Sequence, residues 1–242
     1  MKNELLFISI LALSIIFVFG YALSSDDDKY EYSESMSIDA KNLDKIETFS
    51  IDGSSGEFNI KTWDKKYIEI KLVKKSETEE GLKKIKISSE AKKDKFKLKI
   101  DIDTSLKKSL NQHVEINAMV PKNIKLEINA TAGSIKIEDF EANFNIDLNA
   151  GSVKFKNLKL AKEGTDVIDL DAGEVKIDFN KDLPPFKLDA KATVGGIKTG
   201  PGFAVEETRA HLIGGQLKFS YNDGTKKLKI NVGAGGIKLD KA

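Results

Sequence analysis

The chain has 242 residues, no cysteine, and 39 basic against 38 acidic side chains, a net charge of +1. That balance excludes nucleic acid as an obligate partner, which needs a basic surplus to displace condensed counterions. The missing cysteine excludes disulfides, thiol catalysis, thiolate metal sites and a cysteine-linked lipid anchor.

Residues 1–4 carry Lys2 and the amino terminus, and Leu5 to Leu23 is uninterrupted apolar or small sequence. Nineteen residues at ~1.5 Å each reach roughly 28 Å, close to the ~30 Å hydrocarbon thickness. The expectation is one apolar N-terminal helix, either an uncleaved single-pass anchor or a signal peptide cut after Ala22-Leu23-Ser24. In both cases residues 1–4 stay cytoplasmic and the rest of the chain is extracytoplasmic, held at the cell membrane or secreted. Residues 24–45, rich in Ser, Asp, Glu and Lys, read as a polar stalk.

From Ile46 the pattern becomes strand after strand. Glu57 to Trp63 and Tyr67 to Val73 alternate on either side of Asp64-Lys65-Lys66. Lys84 to Ser88 and Phe96 to Ile102 flank Ala91-Lys92-Lys93-Asp94, a hairpin signal. His113 to Val120 stops at Pro121, which has no N–H for a sheet ladder. Residues 46–128 are therefore expected to be irregular strands and hairpins, and residues 129–242 a repeat.

The repeat is a phrase of small residues, a glycine, then apolar–Lys–apolar. It begins at Gly133, Gly151, Gly173, Gly195, Gly215 and Gly235, in steps of 18, 22, 22, 20 and 20 residues. Gly56-Glu57-Phe58-Asn59-Ile60 is a degenerate further copy. Self-similarity at this period predicts an all-β fold, a β-solenoid of ~20-residue coils. Aligned on the glycine, Ile128, Ile146, Ile168, Ala190 and Ile230 form one interior column. Ala130, Leu148, Leu170, Ala192 and Val232 form the next, and Ala132, Ala150, Ala172, Val194 and Ala234 a third. Beyond the glycine come Ile135, Val153, Val175, Ile197, Leu217 and Ile237. The glycines suit a corner that needs positive φ or close backbone approach. Gln216 is one residue too many in its coil and predicts a β-bulge.

These small-x-Gly-[Ser/Gly/Glu]-apolar-Lys-apolar coils follow an opening Ile51-Asp52-Gly53-Ser54-Ser55-Gly56 segment and a single apolar N-terminal stretch. Over residues 46–242 the chain resembles the putative-adhesin domain family of bacterial and archaeal envelopes. The resemblance implies an extracytoplasmic, right-handed β-solenoid and carries over no catalytic residue.

Between the core columns lie outward ladders. Asn129, Asp147, Asp169, Lys191 and Asn231 occupy one; Thr131, Asn149, Asp171 and Thr193 the next. Asp147, Asp169 and Asp171 make an oxygen-rich patch, the weak candidate for a metal site of the Ca²⁺ kind. Lys136, Lys154, Lys176, Lys198, Lys218 and Lys238 form a cationic ladder. It suits an anionic partner such as teichoic acid, acidic polysaccharide or lipid headgroups, or else a solvated face that deters aggregation. No nucleophile–base, zinc-protease or phosphate-loop pattern surrounds His113 or His211, so neither a catalytic residue nor a cofactor is expected. Trp63 reads as core, and Asn129-Ala130-Thr131 is a glycosylation sequon. The functional expectation is a non-enzymatic, adhesin-like face for an anionic envelope polymer or another envelope protein. The alternatives are a β-helical polysaccharide lyase using the Asp patch and a self-assembling structural solenoid.

Overall fold

A computed structural model of the protein describes residues 32–40, 46–103, 111–200, 207–210, 214–222 and 224–241. The apolar segment 5–23 and His211 lie outside them. No helix among the described residues is long and apolar enough to cross a membrane.

The fold is all-β, as the alternation predicts. Its strands are β1 (Tyr32–Ala40), β2 (Thr48–Trp63), β3 (Ile68–Ser76), β4 (Ile85–Lys92), β5 (Lys95–Ile102), β6 (His113–Pro121) and β7 (Lys125–Glu138). β8 (Phe144–Leu158), β9 (Thr165–Phe179), β10 (Phe186–Thr199), β11 (Glu207–Ala210), β12 (Gly215–Tyr221) and β13 (Lys226–Lys241) follow. One short helix, α1 (Glu79–Lys83), was not expected; the Thr78 side chain caps it by accepting from the Gly81 N–H at 3.0 Å. Tyr32–Ala40, inside the segment read as stalk, pairs antiparallel with β3.

Six strands are long and bent at a glycine. β2, β7, β8, β9, β13 and β10 run parallel and in register, so Gly56, Gly133, Gly151, Gly173, Gly235 and Gly195 form one column. The corner reverses the alternation. In β8, Ile146 and Leu148 are buried before the bend, and Val153 and Phe155 after it. Two limbs result, and they face each other: the rings of Phe144 and Phe155, at opposite ends of β8, are 4.6 Å apart. Gly173 shows why the corner is glycine. Its φ is +140°, and a Cβ there would lie 1.7 Å from the Gly151 carbonyl oxygen.

The sheet forks at β2. Its first limb (Thr48 to Gly53) pairs with β5, which carries β4; its second limb (Glu57 to Trp63) pairs with β6, followed by β3 and β1. The β4–β5 hairpin turns through Lys93 at φ 57°, where the sequence placed it.

Four expectations need correction. The strands do not stack in chain order: β13 inserts between β9 and β10 and pairs parallel with both. Gly215 to Phe219 is no coil either, because β12 runs antiparallel along the first limb of β10 and places Lys218 beside Asp189. Its register is unbroken at Gln216, and a register shift occurs at Lys156/Leu158 instead, between β8 and β9. Finally, Ala150, Ala172 and Ala234 are exposed and Val194 retains 49% of its surface, because the bend turns this column outward.

Candidate functional site

The second limbs display the lysine ladder. Asn59, Lys136, Lys154, Lys176, Lys238 and Lys198 stand side by side across β2, β7, β8, β9, β13 and β10. Much of its charge is answered locally. Lys136 Nζ lies 3.0 Å from Glu57, Lys176 3.5 Å from Asp178, and Lys238 3.0 Å from Asp240. The Lys136 hydrogen bond holds the Glu57 carboxyl below its ordinary range, against the opposing effect of burial. Lys154 and Lys198 have no ion pair among the described residues.

The first limbs carry the carboxylates. Asp52, Asn129, Asp147, Asp169, Asn231 and Lys191 form one outward row. Asp147 and Asp169 are cross-strand neighbours, Asn231 Nδ2 donates to Asp169 Oδ1 at 2.7 Å, and Asp171 stands nearer the corner. All three carboxylates are exposed, and no group of three or more His, Asp or Glu side chains among the described residues is placed to hold a metal ion. His113 is half-buried at the start of β6, opposite Lys75. Trp63 is half-buried rather than core: its Nε1 donates to the Tyr67 carbonyl at 2.9 Å, and Lys65 Nζ sits 4.3 Å above its ring.

The insertion of β13 assembles a second cationic surface on the first limbs. Outward residues of β13 are Lys227, Lys229 and Asn231; beside them on β10 are Lys187, Asp189 and Lys191. On β12 the opposing residues are Ser220, Lys218 and Gln216. A groove of about 600 Å³ runs over Lys187, Asp189, Lys218, Ser220, Lys227 and Lys229. None of its four lysine side chains has an ion pair or hydrogen bond among the described residues. Asp189 Oδ1 accepts from Gln216 Nε2 at 3.1 Å. On β11, Glu207 is in register with Lys218 and Arg209 with Gln216. Sequence reasoning missed this group because Lys187, Lys218, Lys227 and Lys229 meet only once β13 and β12 have both packed on β10. The available signal was the Lys-x-Asp and Lys-x-Lys alternation at 187–189 and 227–229.

At the start of β13, between it and β9, lies a fully buried ion pair. Lys226 Nζ is 2.8 Å from Asp166 Oδ2 and 2.5 Å from Asn143 Oδ1, while Asp166 Oδ1 accepts from the Phe144 N–H at 3.1 Å. Burial pushes the Asp166 carboxyl above its ordinary range, and Lys226 and the Phe144 N–H pull it back only in part.

No protein-family model and no curated protein matches the chain. Among solved structures, a putative cell adhesion protein from Clostridium sporogenes matches 87% of this chain and 100% of its own, at 18% identity and a TM-score of 0.54. A putative adhesin from Bacteroides fragilis covers 85% of this chain and 96% of its own at 14% identity, with a TM-score of 0.36. One from Parabacteroides distasonis covers 87% and 97% at 12% identity, with a TM-score of 0.27. The likeness to the Clostridium sporogenes protein is one of fold, and there the resemblance to putative-adhesin domains read from the coil motif meets a solved structure.

Proposed function

We propose that the protein is a non-enzymatic, extracytoplasmic binding module of the cell envelope, a flattened and coil-inserted β-solenoid that presents wide faces for adhesion. One observation carries the reading: in-register stacking sets polar and charged side chains in straight outward columns on both limbs. Such columns suit a repeating partner, since each weak contact raises the effective concentration for the next. The Clostridium sporogenes structure, described as a putative cell adhesion protein, supports the same reading. The apolar segment 5–23 would tether the module to the membrane. The lyase alternative has less support, because Asp147, Asp169 and Asp171 stand exposed on a sheet face.

The test is attachment. Cells displaying the full-length chain are compared with cells lacking it for retention on surfaces coated with envelope polymers. Retention should rise with display and fall with added salt, because exposed charges are screened. Equal retention of the two cell types would overturn the adhesive reading.

A further inference from the structure

The outward surface where β13, β10 and β12 meet gathers four lysines without an ion pair among the described residues, against two, Lys154 and Lys198, on the second-limb ladder. Several lysines elsewhere on the first limbs and on β5 are matched: Lys97 lies 2.7 Å from Asp52, and Lys95 and Lys125 lie 2.6 and 2.7 Å from Glu127, whereas Lys191 stands alone at the end of its row. Lys187, Lys218, Lys227 and Lys229 have no such match; Asp189 stands in register between Lys229 and Lys218, and Glu207 on β11 is in register with Lys218 from the other side. Neighbouring strands are ~4.8 Å apart and alternate residues ~6.8 Å apart along a strand. Lys187 and Lys227 are immediate neighbours, whereas Lys229 and Lys218 flank Asp189 two strand spacings apart, and the four ammonium groups gain from an anion laid along them.

The chemistry of the groove narrows the anion. Its cations are all lysines, compact point charges with three rotatable donors, which bind a multi-oxygen phosphate as point charges and impose no fixed fork geometry on it. Asp189 keeps Oδ2 without a hydrogen bond while Oδ1 takes Gln216, and a carboxylate in that position accepts from a hydroxyl and repels a continuous run of charge. A chain of phosphates separated by alcohols meets both demands. The apolar residues at the floor, Leu188, Phe219 and Leu228, are buried, so the groove offers nothing for insertion into a bilayer.

We propose that this groove binds a polyol phosphodiester, with phosphates on Lys187/Lys227 and on Lys218/Lys229 and a hydroxyl on Asp189. The proposal rests on the reading of the protein as a binding module and names its ligand class. It assigns recognition to the first-limb groove rather than to the lysine ladder on the second limbs.

The full-length chain in non-ionic detergent is titrated with poly(glycerol phosphate), inorganic polyphosphate and glycerophosphoglycerol, the headgroup diester of an anionic lipid, at low and physiological salt. Changing all four groove lysines to Gln should weaken poly(glycerol phosphate) binding by about tenfold or more and flatten its salt dependence. Changing Lys136, Lys154, Lys176, Lys198 and Lys238 to Gln should alter it by less than about twofold. Asp189→Asn should shift preference from poly(glycerol phosphate) towards polyphosphate. Both multiple variants are checked for an unchanged unfolding midpoint, as expected for exposed side chains. Glycerophosphoglycerol bound as tightly as the polymer identifies a lipid headgroup as the source of the diester, and polymer-only binding identifies a soluble chain. Unchanged affinity in the groove variant, or loss confined to the ladder variant, overturns the proposal. Salt-sensitive attachment of displaying cells that survives the groove substitutions would do so too while leaving the adhesive reading intact.

Discussion

Within one bent strand, β9, Gly173 and Leu170 hold the fold by different means. Leu170 is 2% exposed and packs in a column between Leu148 and Val232. Truncation there removes contacts on both sides and leaves a cavity that in-register neighbours cannot collapse to fill. Leu170→Ala should cost ~2–5 kcal/mol. Gly173→Ala fails for another reason, since the added methyl would meet a backbone oxygen and the residue would be held at positive φ. That strain alone is of order 1–3 kcal/mol, and the backbone must shift as well, so the cost should exceed that range. Urea unfolding of both variants measures the two costs. A Gly173→Ala protein as stable as the parent would mean that the corner is not a tight glycine stack. These residues were legible in the sequence because a corner glycine and its flanking apolar positions recur with fixed offsets. The outward turn of Ala150 and Ala172 was not, since the bend resets the two-residue alternation and composition does not mark where.

Strand order is set by contacts that the repeat phrase does not contain. Any coil reading Gly-x-apolar-Lys-apolar can pair with any other, so the pattern cannot say which lies beside which. Even direction is ambiguous: Leu217 and Phe219 point inward although β12 runs antiparallel. What distinguishes β13 is Lys226, which reaches Asn143 and Asp166 at the loop end of the stack. A buried ion pair adds little net stability but can fix register, because a misplaced strand leaves an unpaired buried charge. Lys226→Met alone should cost ~3–5 kcal/mol at neutral pH, and combining it with Asp166→Leu should recover much of that loss. The pH dependence has a defined sign. Because the folded Asp166 pKa is raised, the native state binds the proton more readily than the unfolded chain, and the contribution falls as pH rises from the ordinary carboxylate range through the raised value. Glu57 and Glu127 have lowered values and act oppositely, losing their contribution as pH falls. The stability of the parent relative to Asp166→Asn should therefore decline with rising pH. A flat or rising difference, measured by denaturant unfolding across the acidic to neutral range, would refute the assignment.

For the molecule as a whole, the inserted strand makes the two ends of the stack interdependent. β10 reaches β9 only through β13, and β12 and β11 reach the sheet only through β10. Ending the chain before Lys226 should release all three, while β2, β7, β8 and β9 keep their mutual pairing. Hydrogen exchange on the truncated protein should show protection lost over residues 186–199 and 215–221 and retained over 125–158. Retained protection at 186–199 would mean that β10 can pair directly with β9. The insertion also has a consequence for how the protein is made. As the polypeptide emerges, β7, β8 and β9 can assemble one upon another, but β10 to β12 must wait without their seat until β13 arrives. Assembly thus pauses with a growing edge held open, and the strand that fills the gap carries the lysine that fits only there. Interrupted synthesis would leave that edge exposed for a protease, whereas the finished chain seals it, so the topology itself discriminates complete from incomplete product.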